Sequence, residues 1–336
     1  MPSRVIFPKK LVLEYLDACT IACRHCITHS APGLKVKLPL EATKEIITEC
    51  AGQGFLEVNL TGGEPFLVYA EMRELIRHTK RLGMKFTVTS NAHWATNVEI
   101  ATARLIPLFE DGLDQLHLSY DRPHHDEGIP VERIDCGVLA AKKIGLAVQI
   151  WLAFFKNDSF LKEIKTRLKS HRVPFRLSNV LPMARGNTLP AELIHTYSWM
   201  SQHNGCKTLG FLVITPNGNC YACCNAAAQS TSQNPLFLGN ILKTPAREII
   251  KTKERRLPLH GLISYFGPGA LYKLLPEPLR EGLRPEMHPC LFCTEMLNDG
   301  NRADYLLRAI RRTDKRIAEK KAVVKLIRSV GTYKSG

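Results

Sequence analysis

The stretch Cys19-Thr-Ile-Ala-Cys23-Arg-His-Cys26 directly follows an apolar run at residues 11–16, which is predicted to be a strand. Its three cysteines are separated by three and then two residues, on the loop that leaves the strand. Thiolates are the usual ligands of iron–sulfur clusters, and four of them complete a [4Fe–4S] centre. Three cysteines on one loop would therefore leave one iron open to a small molecule. Zinc is the main alternative, although zinc sites favour Cys-x2-Cys pairs and four protein ligands.

A second motif, Thr61-Gly-Gly-Glu64-Pro65, ends the next predicted strand, at residues 55–60. Paired glycines let a backbone approach a ligand closely, and a carboxylate beside them can accept hydrogen bonds from an ammonium group. Taken alone, the motif could equally be an ordinary turn at the end of a strand. Together, the two motifs resemble the radical S-adenosylmethionine (SAM) enzymes. The resemblance implies that the three cysteines bind a [4Fe–4S] cluster, that the open iron chelates SAM, and that Gly62, Gly63 and Glu64 bind the methionine amino group.

The composition limits the remaining possibilities. The chain has 336 residues, of which 45% are hydrophobic, so a large domain and a smaller one are possible. It has no apolar run of membrane-spanning length and no signal peptide, which predicts a cytoplasmic protein without membrane partners. In a reducing compartment, eleven clustered cysteines indicate metal or redox chemistry rather than disulfides. The net charge of +15 favours an anionic partner. Nucleic acid is not expected, because no RNA-binding module is recognisable.

Predicted strands and helices alternate through the first half of the chain at a spacing near thirty residues. Such alternation requires parallel strands joined by helical crossovers. We expect an α/β fold in which residues 1–200 form a partial (β/α)6 TIM-type barrel, in agreement with the core that the resemblance implies. The predicted strands lie at residues 11–16, 55–60, 84–89, 114–119, 146–154 and 175–181.

The carboxyl ends of parallel strands usually form the active site. Ser90 and Ser119 lie at two of these ends, and they match positions at which radical SAM enzymes contact the ribose or carboxylate of SAM. Either serine could instead cap its strand. Asp121 and His124 follow in a loop that either faces the substrate or lies on the surface.

The alternation stops near Gly205, and residues 201–300 are predicted to be a small cysteine-rich α+β extension. The sequence Leu212-Val-Ile-Thr-Pro-Asn-Gly-Asn-Cys-Tyr221 predicts a hairpin. The pattern resembles SPASM and twitch extensions, which bind auxiliary clusters. It implies one auxiliary [4Fe–4S] cluster, with Cys220 as a further possible ligand and a zinc ribbon as the structural alternative. The assigned ligands are Cys206, Cys223, Cys290 and Cys293.

Residues 301–336 are predicted to be a basic helical tail, because eleven basic and three acidic residues follow position 301. A solvated helix docked on the core and a binding surface for an acidic peptide are both compatible with this composition.

Several motifs resemble radical SAM enzymes that modify ribosomally made peptides (RiPPs), in particular the peptide epimerases with one auxiliary cluster. They include Thr89-Ser-Asn-Ala-His-Trp94, Tyr221-Ala-Cys-Cys224 and Cys290-Leu-Phe-Cys293. Such epimerases abstract a Cα hydrogen, and Cys224 would be the thiol that returns one to the opposite face. A precursor peptide, with an acidic segment, would be the substrate, and a flavodoxin or ferredoxin would supply electrons.

Three other functions remain open from the sequence. One is a twitch-type dehydrogenase, dehydratase or epimerase of an aminoglycoside or another small metabolite. The second is a peptide C–C or thioether cross-linking enzyme. The third is a non-enzymatic zinc-binding interaction protein. The hairpin strand at 210–214 is wholly apolar, where the epimerase resemblance implies an acidic residue that binds the substrate.

Overall fold

The computed structural model describes residues 9–195, 205–206, 208–225, 230–284 and 287–317. Six parallel strands form the first part of its sheet, in the order β6-β5-β4-β3-β2-β1. Their bounds are β1 Lys10–Leu16, β2 Glu57–Gly62, β3 Lys85–Ser90, β4 Gln115–Ser119, β5 Ala147–Phe154 and β6 Phe175–Asn179. Each lies within two residues of its sequence prediction. The predicted α/β fold with a parallel, unclosed barrel is confirmed.

Helices connect these strands, as parallel pairing requires. They are α1 Leu40–Gly52, α2 Tyr69–Arg81, α3 Val98–Glu110, α4 Arg122–Asp126, α5 Glu132–Lys143 and α6 Ser159–Leu168. Short 3₁₀ helices lie at Pro65–Val68, Lys169–His171, Ala184–Thr188, Ala191–Leu193 and Glu277–Leu279.

The barrel stays open because β1 pairs with a strand of the extension instead of with β6. This strand, β7 (Leu212–Ile214), runs parallel to β1, with Leu11 opposite Leu212 and Leu13 opposite Ile214. It forms the predicted hairpin with β8 (Asn219–Tyr221). A further strand, β9 (Phe237–Asn240), pairs with β8 and ends the nine-stranded sheet.

The rest of the described extension is helical. Its helices are α7 Ala246–Arg255, α8 Leu257–Phe266, α9 Pro268–Leu274, α10 Pro289–Asn298 and α11 Gly300–Ile317. One hydrophobic core continues from the barrel into this region and includes Leu11, Val213 and Phe292, all fully buried. The predicted boundary near residue 200 therefore divides the chain across a continuous sheet and core. Helix α11 contains the first part of the predicted basic tail, whose remainder lies outside the described residues.

Each helix in the described ranges is too short or too polar to cross a lipid bilayer.

Candidate active site

A cavity of about 490 Å³ lies at the carboxyl ends of the barrel strands. We call it the central cavity. It brings together the three cysteines, the Gly-Gly-Glu turn and the two serines predicted to form the site, and it also contains His124, although not Asp121, and one cysteine of the extension. These residues are Cys19, Cys23, Cys26, Gly62, Gly63, Glu64, Ser90, Ser119, His124 and Cys224.

The three-cysteine loop is held compactly beside β1. The Cys26 amide donates to the Cys23 carbonyl at 3.1 Å, and the Cys19 amide donates to the Ala31 carbonyl at 3.1 Å. Burial raises the pKa of the Cys19 thiol to about 11, and it raises the pKa of Cys23 further. These two thiols are therefore neutral near pH 7, and a metal that bound them would have to displace their protons.

The Gly62-Gly63 turn packs directly on the base of the cysteine loop. Gly62 has a φ of +116°, which favours glycine. A Cβ on Gly63 would lie 1.7 Å from the Ala18 carbonyl oxygen. The Glu64 amide donates to that same oxygen at 2.8 Å. A side chain at position 63 would thus separate the two predicted motifs, which explains why the second glycine is needed.

Glu64 is almost completely buried and is surrounded by hydrogen-bond donors. Its carboxylate accepts from the Ser90 hydroxyl at 2.8 Å. It also accepts from the backbone N–H groups of Asn91 at 2.9 Å and Phe66 at 3.0 Å. Burial raises the pKa of Glu64 to about 7, while these hydrogen bonds act in the opposite direction. The Ser90 hydroxyl also accepts from the Trp94 indole at 2.8 Å. Ser90 therefore orients the carboxylate besides lining the cavity.

Asp121 and His124 are buried, so a surface loop is the wrong interpretation for them. Asp121 binds Nδ1 of His124 at 2.6 Å and Nε2 of His25 at 3.1 Å. Burial opposes ionisation of this carboxyl, but the two histidines hold its pKa well below the usual range. His25 belongs to the cysteine loop, so this group connects that loop to the end of β4.

A second cavity, of about 200 Å³, lies in the extension and is lined by four cysteines. We call it the extension cavity. Burial raises the pKa of Cys290 to about 12, and it also raises the pKa of Cys293, with neighbouring cysteines adding to both shifts. Two of the cysteines lie in the first turn and a half of α10. The four are those predicted to bind an auxiliary cluster: Cys206, Cys223, Cys290 and Cys293.

Adjacent residues of the Cys-Cys pair face different cavities. Cys223 lines the extension cavity, whereas Cys224 lines the central cavity. Cys220 lines neither of the two cavities, because its sulfur is buried beside the Gly218 carbonyl at 3.5 Å. The arrangement thus separates Cys223, the ligand assigned from the sequence, from Cys220 and Cys224, whose roles the sequence leaves open.

Sequence reasoning missed several polar residues of the central cavity, of which Glu14 and Asn225 matter most for the site. Glu14 is only 5% exposed, and no hydrogen bond from the described residues reaches its carboxyl group. Burial raises its pKa to about 8. Glu14 could have been recognised from the sequence only as a single carboxylate within the otherwise apolar strand Leu11-Val-Leu-Glu-Tyr-Leu16. Asn225 lines both cavities, and only its position beside Cys224 could have indicated it.

Comparison with known proteins identifies the first half of the chain. Residues 13–151 match the model of the radical SAM superfamily. Over 232 residues the chain is 23% identical to YydG of Bacillus subtilis (strain 168), a protein named for peptide biosynthesis, and the match covers 67% of this chain and 72% of YydG. It is 31% identical over 119 residues to the GTP 3′,8-cyclase of Chlorobaculum tepidum, which covers 35% of this chain and 34% of the cyclase.

The fold also resembles that of anSMEcpe, solved with bound AdoMet and a Cp18Cys peptide. The TM-score is 0.57 at 13% identity, and the match covers 96% of this chain and 99% of anSMEcpe. Proteins of the radical SAM superfamily bind SAM and a [4Fe–4S] cluster, the cofactors expected from the two sequence motifs. Residues 13–151, which contain both motifs, are therefore a radical SAM domain.

Proposed function

We propose that this protein is a radical SAM enzyme that abstracts hydrogen from a peptide, and that its product is a peptide with an epimerised residue. The observation that carries the proposal is the composition of the central cavity. The three-cysteine loop and Glu64 line it together with the thiol of Cys224. The same space thus has residues suited to SAM and a residue that can donate a hydrogen atom.

The three cysteine ligands predicted in the central cavity fit a [4Fe–4S] cluster with one open iron. Cys19, Cys23 and Cys26 share one loop, and the two glycines let the turn that carries Glu64 pack against that loop. When both are bound, a reduced cluster and SAM supply a 5′-deoxyadenosyl radical, which abstracts hydrogen from a C–H bond. The Glu64 carboxylate would accept from the amino group of a bound SAM, and Ser90 keeps that carboxylate in place.

Cys224 lines the same cavity as the cysteine loop. The charges that act on its thiol are those of Cys223, Glu14, Lys10 and Arg176. A substrate placed between the loop and Cys224 would lose its Cα hydrogen on one face and receive one on the other. In the return step the S–H bond breaks, a C–H bond forms, and a thiyl radical remains on Cys224. One proton and one electron, the latter from a flavodoxin or ferredoxin, restore the thiol.

The extension cavity is suited to one auxiliary cluster. In the described residues the only three potential metal ligands within 4.8 Å of one another are His25, Asp121 and His124. No three cysteine sulfurs are therefore as close as the roughly 3.8 Å expected for tetrahedral zinc with Zn–S bonds of about 2.3 Å. Four thiols are the usual complement of a [4Fe–4S] cluster, and a radical SAM domain earlier in the same chain favours iron–sulfur over zinc.

Three observations support a peptide as the substrate. YydG is named for peptide biosynthesis, and anSMEcpe was solved with a peptide bound. The largely apolar wall of the central cavity carries polar side chains, among them Glu14 and Arg176, that can bind backbone groups. The net charge of +15 favours an acidic segment in that peptide.

The first test measures 5′-deoxyadenosine release by the anaerobically reconstituted protein. Host extract is divided by size into a peptide fraction and a small-metabolite fraction, and each is added separately. Peptides alone are expected to stimulate release, and uptake of solvent deuterium at Cα would then identify the carbon attacked. Stimulation by small metabolites alone would contradict the proposal and favour a sugar-modifying enzyme.

The role of Cys224 is tested by replacing it with alanine. We expect Cys224→Ala to keep releasing 5′-deoxyadenosine with the active peptide fraction while forming no D-residues, because only the hydrogen return is lost. Cys136→Ala is the matched control, since Cys136 lies on α5 and lines neither cavity. Normal D-residue formation by Cys224→Ala would exclude this thiol as the donor.

A further inference from the structure

Asn225 lies at the boundary between the central and extension cavities. Among the described residues it is the only one that lines both. It directly follows Cys223 and Cys224, which face the extension cavity and the central cavity respectively. Three consecutive residues thus form the wall between the two sites.

The side chain of Asn225 contacts a sulfur of the extension cavity. Its amide nitrogen, Nδ2, donates a hydrogen bond to Sγ of Cys290 at 3.0 Å. No other hydrogen-bond partner reaches this side chain from the described part of the chain. A donor at this distance favours the thiolate over the neutral thiol. A hydrogen bond to an ionised acceptor is also stronger than one to a neutral thiol.

The corresponding contact at the first site is weaker. Nδ2 of Asn91 lies 3.8 Å from Sγ of Cys19, and it donates to the Thr20 hydroxyl at 3.0 Å. Near Cys206 the neighbouring group is the Thr208 hydroxyl, at 3.5 Å from the sulfur. Of the two side-chain amides that contact a predicted cluster cysteine in the described residues, that of Asn225 is therefore the closer.

From this geometry we infer that Asn225 is a positioning residue that raises the reduction potential of the auxiliary cluster without affecting that of the SAM-binding cluster. The inference rests on the proposed ligand role of Cys290. Hydrogen bonds to the sulfurs of an iron–sulfur cluster are among the factors that set its potential, because they stabilise the more negative, reduced state. The amide at the Cys290 sulfur would act on one cluster only, since the described contacts of Asn225 include no cysteine of the first site.

The experiment compares wild-type and variant proteins, each carrying both clusters, in redox titrations followed by electron paramagnetic resonance. In Asn225→Ala the ratio of reduced to oxidised auxiliary cluster at a given potential should fall about tenfold, which corresponds to 59 mV for one electron. The potential of the SAM-binding cluster should not change. Asn225→Gln keeps an amide donor and should recover at least part of the shift.

Asn240→Ala is the matched control, because Asn240 lies in the same extension and binds only Asn217 and Asn219 with its amide nitrogen. It should leave both potentials unchanged. If Asn225→Ala does not retain its clusters, Asn225→Asp replaces the donor by an acceptor of nearly the same shape and should lower the same potential.

The outcomes separate this inference from the proposed function. Iron analysis of the reconstituted wild type should give about eight atoms per chain, as expected for two [4Fe–4S] clusters. About four atoms would contradict the proposed auxiliary site itself. Two clusters with unchanged potentials in both Asn225→Ala and Asn225→Asp would overturn the role of Asn225 alone. A shift confined to the SAM-binding cluster would also overturn it.

Discussion

Glu14 shows at the scale of one residue how burial changes a side chain's chemistry. Its carboxyl lies in the central cavity without a hydrogen bond from the described residues, and its pKa is raised from 4.5 to about 8. A carboxyl whose pKa is higher in the folded protein binds its proton more tightly there than in the unfolded chain. Its contribution to stability is therefore complete below about pH 4.5 and is lost as the pH rises towards 8.

We expect Glu14→Gln to remove this part of the pH dependence. In the wild-type protein without cofactors, Glu14 should decrease the free energy of unfolding by up to about 1.4 kcal/mol per pH unit between pH 5 and 8. Urea denaturation of both proteins at several pH values measures the difference. If the free energies of unfolding of the two proteins change in parallel between pH 5 and 8, the raised pKa of Glu14 is contradicted. Glu64 titrates in both proteins, so it does not affect the comparison.

Individual residues also show what could be predicted from the sequence. Cys19, Cys23, Cys26 and Glu64 could be found because their chemistry depends on spacing along the chain, which the sequence records directly. Glu14 and Asn225 could not, because their roles depend on what surrounds them after folding. Asp121 remained ambiguous for the same reason: its partners, His25 and His124, include a residue 96 positions away.

At the scale of elements, the six strands of the barrel were predictable because apolar runs alternate regularly with amphipathic helices. The pairing of β7 with β1 was not. Strand β7 has three residues, and its partner lies about 200 residues earlier, so no local pattern specifies the contact. Strand β9 was missed because Phe237-Leu-Gly-Asn240 is short and contains a glycine with a positive φ.

The β1–β7 pairing predicts that barrel and extension unfold together. Val213 is fully buried in the strand that joins them, and one hydrophobic core extends across the joint. Val213→Ala should lower the free energy of unfolding by about 1–3 kcal/mol through loss of buried methyl groups. Because the barrel and the extension are expected to unfold together, tryptophan fluorescence and circular dichroism should report the same single transition, shifted to lower urea. Two separate transitions, with only one shifted, would indicate that the extension folds independently.

At the scale of the whole molecule, the cations outnumber the anions by 15, and two described ones, Lys10 and Arg176, line the central cavity. Arg24 is about half exposed, and its guanidinium lies over the ring of Phe155 at 5.0 Å. Arg176 projects from β6, an outer strand of the sheet, where it lies over Trp151 and lines the cavity. Exposed charges of one sign attract an oppositely charged partner before specific contacts form. An acidic peptide would therefore be drawn towards the side of the barrel where the cavity lies.

This attraction should depend on salt. Raising the ionic strength from about 0.05 to 0.5 M reduces the Debye length to a few ångströms, which screens exposed charges far more than buried ones. The stimulation of 5′-deoxyadenosine release by the active peptide fraction should then require several-fold more peptide for half-maximal effect. The uncoupled release measured with SAM alone should change little, because Glu64 acts from a buried position.

Arg24→Gln should reduce the salt dependence, whereas Arg81→Gln, on the distant end of α2, should not. Equal salt effects with and without peptide would mean that the net charge has no part in substrate binding.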